Sequence, residues 1–240
     1  MAPPQKPGAP PDMLTLLLPR SDYAIVDDWF VSGLRGTGSK TLVVDGAFVP
    51  THRTHRMSDA FKLESPGNAV NPAPLYRLPF GQVFTRTVAT PAIGMLEGAV
   101  AAFVEVNRDR ASRADGKKPA DDPAAQEALA SALVAAREAR AVLHEDFDAM
   151  MALAAEGKPI PLADRIAYRH HTATVTDEMA RALDALFAES GAGAIFLESK
   201  IQRFFQDVHA ARAHHANNPR RTARNLGGAL LERATSDYFL

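Results

Sequence analysis

The stretch Gln202-Arg-Phe-Phe-Gln-Asp-Val-His-Ala-Ala-Arg-Ala-His-His-Ala-Asn-Asn-Pro219 is where residue types and spacing point most directly to chemistry. At 3.6 residues per turn, Ile201, Phe204, Phe205 and Val208 form an apolar stripe. Arg203, Asp207, Ala210 and His214 line the neighbouring stripe, which carries charge and a titratable ring. Ala210, Ala211 and Ala213 leave space where bulky side chains would otherwise pack. An imidazole beside such a gap and an apolar wall fits the lining of a small-molecule pocket. The same periodicity also describes a surface helix with a few histidines. A ring titrating near its ordinary value of about 6.5 can move protons at neutral pH.

Three other motifs invite chemistry and are weaker. Gly33-Leu-Arg-Gly-Thr-Gly-Ser-Lys-Thr41 resembles a phosphate loop, but Ser39 stands between Gly38 and Lys40. A β-rich segment, Thr41–Val44, follows it where a phosphate loop requires a helix. It reads as a glycine-rich turn between strands. His170-His171 and His214-His215 are adjacent pairs that point about 100° apart on a helix, which suits no shared metal. His52 and His55 sit in an arginine-rich connector, with Asp59 the one carboxylate close by. No metal site is expected. Gly191-Ala-Gly193 taken alone is a helix end and a turn.

Composition narrows the partners. The 240 residues suffice for one large or two modest domains, and 46% hydrophobic with 23% charged residues is ordinary for a soluble globular chain. A net charge of −1 gives no field for nucleic acid or an anionic membrane. Cysteine is absent, which excludes disulfides, thiolate catalysis and cysteine-ligated metals, and a reducing cytoplasm is the expected location. Met13-Leu-Thr-Leu-Leu-Leu-Pro19 is too short to span a bilayer and lacks a signal peptide's flanks; it reads as a buried strand.

The elements that must position the histidines come in two blocks. Residues 1–12 hold five prolines and read as extended or disordered. Leu14–Leu18, Tyr23–Val26 and Trp29–Val31 read as strands, and Thr41–Pro50 as two short strands around a turn at Asp45-Gly46. From about residue 84 alanine dominates. Thr90-Pro91 and Asp122-Pro123 read as helix starts, the second helix running to about Glu156 and Gly157. Pro161 opens a third helix that closes near Ser190, and residues 200–218 form a fourth, interrupted by Asn217-Asn218-Pro219. The expectation is an α+β chain: a proline-rich segment over 1–12, a partial β-domain over 13–83 and an antiparallel four-helix bundle over 84–240. Ala128, Ala132, Ala135, Ala136 and Ala139 exceed what one core needs, which predicts a homo-oligomer, a tetramer built on the bundle.

Three segments together resemble one family. Trp29–Pro50 resembles the middle β-domain of the acyl-CoA dehydrogenase superfamily, in its flavin-dependent monooxygenase branch, the oxygenase components of two-component aromatic hydroxylases. Gln202–His215 resembles the last helix of that branch, and Phe187–Gly193 the glycine turn before it. The resemblance covers roughly residues 13–228 and implies a fold of N-terminal helical domain, β-domain and C-terminal four-helix bundle. It also implies that the helical domain and the first part of the β-domain lie outside this chain. Its implied activity is hydroxylation of a small aromatic or phenolic substrate by O2 and reduced FMN or FAD, which a separate flavin reductase delivers. His214 matches the family's active-site histidine, as base for the phenol, with His215 the weaker candidate. Arg110 and Arg113 stand where the family binds flavin phosphate, and Gly191 and Gly193 would let backbone approach the cofactor of a neighbouring subunit. An acyl-CoA dehydrogenase would need a carboxylate base where this helix offers histidines; a non-catalytic oligomerisation fragment is the other alternative.

Overall fold

The computed structural model describes residues 12–108, 111, 116, 118–235, 237, 239 and 240. Four short strands come first: β1 (Leu14–Leu16), β2 (Ala24–Val26), β3 (Thr41–Val43) and β4 (Thr54–Arg56). They pair as two separate antiparallel ribbons, with Leu14 opposite Arg56 and Ala24 opposite Val43. The apolar run at the front is therefore a strand but not a buried one, since Leu16 and Leu17 are 46% and 70% exposed. Trp29–Val31 is irregular, and residues 47–50 after the Asp45-Gly46 turn form no strand. The partner of β1 comes instead from the basic connector around His55.

The glycine-rich turn has a different job from joining strands. Trp29 Nε1 donates to the Leu34 carbonyl at 3.0 Å, folding the turn onto itself. The Leu34 N–H donates to Asp207 Oδ1 at 2.6 Å. A Cβ on Gly33 would lie 2.0 Å from the Gln206 carbonyl oxygen, so glycine alone permits this approach. The turn is thereby docked on the helix carrying Asp207.

Helix begins earlier than composition suggests. After α1 (Met57–Lys62) and α2 (Pro66–Val70), α3 (Phe80–Ala89) runs almost directly into α4 (Pro91–Asn107). Thr90 is no N-cap: its backbone is helical at φ −54°, ψ −37°, and its hydroxyl donates back to the Arg86 carbonyl. Pro91 thus sits between two nearly continuous helices, its missing N–H tolerated at a first-turn position. The Phe80–Asn107 run is long and apolar enough to cross a membrane by length and composition. Here Leu96, Ala99 and Phe103 are buried in the chain's own core.

α5 (Pro123–Ala155) starts as its sequence dictates, with Asp122 Oδ1 accepting the Ala124 N–H at 3.0 Å. α6 (Leu162–Ala188) follows Pro161. α7 covers only Lys200–Arg212 and α8 Pro219–Leu230. The helix expected over 200–218 therefore ends six residues early. His214 is extended, at φ −66° and ψ 134°, and heads a single 3-10 turn, His215–Asn217. Two forces break the helix there: buried Asn217 donates its side chain to the Ala211 carbonyl at 2.9 Å, and Pro219 disfavours helical backbone at Asn218.

Helices α4, α5, α6 and α7 share one core around Leu96, Leu143, Met179, Leu183, Leu186 and Val208, all fully buried. Among the described residues the chain is mostly helical with few short strands. Ala132, Ala136 and Ala139 belong to this core, with Ala128 and Ala135 packed against it. Those alanines thus bring α5 close to its own neighbours. Its outward residues include Ala130 and Ala141 together with Leu133 and Val134, the last two half exposed.

Candidate active site

An aromatic wall stands beside His214. α3 presents Phe80 and Phe84 one turn apart, stacked with centroids 5.7 Å apart. Phe61 from α1 meets Phe80 edge-on at 5.6 Å. Phe239, from the C-terminal tail, touches Phe61 at 5.3 Å and Phe84 at 5.9 Å. Gly81 admits the tail, since a Cβ there would lie 2.5 Å from the Phe239 carbonyl oxygen. The His214 ring sits 6.4 Å from Phe84 and is open to solvent on its other side.

His214 Nδ1 accepts the Ala216 N–H at 3.1 Å. The neutral ring must therefore carry its proton on Nε2, leaving it a donor to anything placed beside it. Desolvation against the protein pulls its pKa below the ordinary value, and the positive charges of His215 and Arg169 act the same way. At neutral pH this ring is an uncharged Nε2–H donor. A base role would require it to give up the Ala216 bond.

A buried ion cluster anchors the tail behind the wall. Arg169 of α6 is 3% exposed; its Nη2 donates to the Ala216 carbonyl at 2.8 Å, and its Nε lies 3.9 Å from Asp237 Oδ2. Asp237 Oδ1 accepts the Phe239 N–H at 3.0 Å and pairs with Arg221 Nη2 at 3.4 Å. Arg221 also contacts His215 Nε2. His215 is thus engaged by α8 and faces Arg221.

The remaining histidines diverge. His209 bonds Asp184 at 2.7 Å, His170 bonds Thr222 at 3.0 Å, and His171 bonds Asp146 at 2.9 Å. The Asp146 hydrogen bond raises the His171 pKa. A raised folded value stabilises the protein fully below the unfolded pKa of about 6.5, and the benefit fades as pH rises through the folded value. Burial moves His170 the other way, so only a variant isolates the pair. His171→Gln should lower Tm by about 2–4 °C at pH 6, equivalent to about 1 kcal/mol for a half-exposed pair. The deficit should shrink by pH 8.5; thermal melts that shift equally at both pH values would contradict it.

Gly191 and Gly193 lie elsewhere. Gly193 lines a cavity of about 440 Å³ with Phe103, Asn107, Ser190, Phe196 and Lys200. A Cβ at Gly193 would meet nothing within 4 Å, so nothing within this chain demands glycine there. Gly191 adopts φ 68°, which favours glycine in the turn itself. Among the described residues, buried Asn107 Oδ1 has no hydrogen-bond partner. Lys200 opens α7 and Arg212 closes it, so the cavity and His214 are separated by roughly 20 Å of helix. Arg110 and Arg113 lie outside the described residues. Sequence reading missed Phe61, Phe80, Phe84 and Phe239. Phe80 and Phe84 were findable as an i,i+4 pair had the helix been started at residue 80; Arg169 and Asp237 gave no signal.

A model of the acyl-CoA dehydrogenase C-terminal domain matches residues 86–219. The chain belongs to that family. Among relatives, it is 42% identical over 217 residues to the flavin-dependent monooxygenase oxygenase subunit HsaA of Mycobacterium tuberculosis (strain CDC 1551 / Oshkosh), a match covering 90% of this chain and 55% of HsaA. It is 31% identical over 238 residues to the oxygenase component of an FADH2-dependent resorcinol hydroxylase from Rhizobium sp. (strain MTP-10005), covering 95% of this chain and 58% of that protein. The crystal structure of 3-HSA hydroxylase from Rhodococcus sp. RHA1 superposes with TM-score 0.89 at 37% identity, over 97% of this chain and 60% of that one. The chain thus spans a little over half the length of these family members.

Proposed function

We propose that the chain forms the helical part of the oxygenase component of a two-component flavin-dependent monooxygenase that hydroxylates a small aromatic or phenolic substrate. The observation that carries this is the neutral Nε2–H of His214 set at the edge of a four-phenylalanine wall. The names of the relatives, a monooxygenase oxygenase subunit and a resorcinol hydroxylase oxygenase component, support the same reading. Bound reduced flavin would supply the two electrons that activate O2, with one oxygen atom entering the ring and the other leaving as water. FMN or FAD, delivered by a separate reductase, serves equally.

The residues of this chain would do the rest. Phe80, Phe84, Phe61 and Phe239 hold the aromatic ring and exclude water. The His214 Nε2–H donates to the phenol oxygen, so negative charge can build there and the ortho carbon becomes electron-rich; solvent at the open side takes the phenolic proton. The 440 Å³ cavity fits a flavin contact by two features: the orphaned Asn107 Oδ1, which can accept from a hydroxyl or amine, and the unobstructed backbone at Gly193. Because that cavity is far from this chain's own His214, the cofactor it touches would react at a second copy. We therefore read α4–α7 as the four-helix bundle of a homo-oligomer, a tetramer, joined through apolar residues exposed beside the cavity, Ile195, Phe196 and Leu197. A cytoplasmic enzyme suits the cysteine-free sequence.

A dehydrogenase acting on a thioester needs an unengaged carboxylate base. Asp237, the carboxylate at this site, is held by Arg169 and Arg221. The test is to supply the chain with the region its relatives carry beyond the match, add reduced flavin and a phenol, and admit 18O2. One labelled oxygen should enter the product ring. Oxidation of an acyl-CoA by an artificial acceptor, without label uptake from O2 into the phenol, would overturn the proposal.

A further inference from the structure

A second cavity, of about 490 Å³, lies on the far side of Arg221 and is lined by Asn218, Arg220, Arg221, Arg224, Asn225, Gly228, Arg233 and Ala234. Four arginines line it in a chain whose net charge is −1, so general basicity does not explain them. Arg220 and Arg224 are four residues apart on α8, a like-charge spacing that opposes helix formation. Arg233 is brought back onto the same face by a reversal at Glu232, which takes the left-handed φ of 59°, and by its own N–H donating to the Gly228 carbonyl at 2.9 Å. A non-glycine residue in that conformation is strained, and it gathers like charges. Among the described residues, Arg220, Arg224 and Arg233 make no ion pair, and no carboxylate lines the cavity. Asp237, which pairs with Arg221, is buried and shared with Arg169.

We infer that this cavity binds the phosphate group of a phosphorylated organic ligand. The guanidinium fork matches phosphate oxygens in pairs, and several forks suit a dianion better than a carboxylate. The volume exceeds that of a single tetrahedral anion, which leaves room for an organic body attached to the phosphate. The inference does not depend on the hydroxylase reading, because it concerns an anion and not the chemistry at His214.

The 240-residue chain is titrated calorimetrically with inorganic pyrophosphate at low ionic strength. Saturable binding with Kd below about 1 mM is expected, weakened at least tenfold in Arg224→Gln and in Arg233→Gln. Both side chains are exposed, and unchanged thermal melts would verify folding. Arg203→Gln removes the same charge from α7, where Arg203 lies over Phe204, and should leave binding intact. Competition then separates the sources. Displacement by FMN but not riboflavin assigns the phosphate to the flavin; displacement by ADP but not FMN assigns it to another nucleotide or coenzyme, and either supports the site. Absent saturable binding, or an equal loss in Arg203→Gln, would overturn it.

Discussion

In the proposed hydroxylase, assembled from this chain and the region its relatives carry beyond the match, replacing His214 by alanine is expected to slow ring hydroxylation by roughly a hundredfold, the scale of losing one preorganised donor to a developing oxyanion. The pH profile carries the sharper expectation. Because Nδ1 is occupied by the Ala216 N–H, the proposed mechanism has the ring assist as an Nε2–H donor without taking the proton. The alkaline rise in rate should therefore follow the acidity of the phenol across a substituted series, displaced downward in the wild type by the hydrogen bond. In His214→Ala the rise should move up toward the free phenol's own value, about 10 for an unsubstituted ring, and the variant should partly recover there. Reduced flavin should still be oxidised by O2, releasing hydrogen peroxide in place of product. A wild-type limb fixed near the histidine value for every substrate, and lost in the variant, would mean that His214 abstracts the proton and that the Ala216 contact opens during turnover. His209→Ala is the control, since that ring is bonded to Asp184 on another face.

Asp237→Ala should be strongly destabilising. It strips the counter-charge from Arg169, a cation 3% exposed whose pKa desolvation already lowers. Breaking one partner from a buried pair costs about 3–5 kcal/mol, because the other charge stays buried and uncompensated. For a chain of this size that corresponds to a fall in Tm of roughly 10 °C. The same carboxylate accepts the Phe239 N–H, so the aromatic wall should loosen and KM for the aromatic substrate should rise. Asp237→Leu combined with Arg169→Met should recover most of the stability, since neither charge remains to be desolvated. A single variant that melts within a degree or two of wild type, or a pair no better than the single, would show that the cluster contributes little.

Much of the helical frame was legible because its ends are marked locally. Asp122-Pro123 caps α5 and Pro161 opens α6, each by chemistry confined to a few residues, whereas Asn218-Pro219, read only as an interruption, opens α8. The end of α7 was not legible in the same way. Ala213, His214 and His215 tolerate helix, and the break depends on Asn217 finding the Ala211 carbonyl, a choice made by packing. The strand expected to be buried failed for a related reason: an apolar run such as Leu14–Leu18 shows that a surface wants covering, not what covers it. At the site, His214 stood out by its type and its neighbours. Phe61 and Phe239 meet across nearly the whole chain, and Arg169 lies in a polar stretch with nothing local to show that it is buried. Such contacts come from topology and leave no periodic trace.

The length of α7 bears on heredity as well as chemistry. If the cavity at Gly193 serves a flavin that reacts beside another copy's His214, no copy is complete by itself. A subunit disabled at the cavity and a subunit disabled at the histidine would then each retain the half the other lacks. Two defective alleles expressed together could restore a working centre at their shared boundary, whereas two alleles damaged at the same end could not.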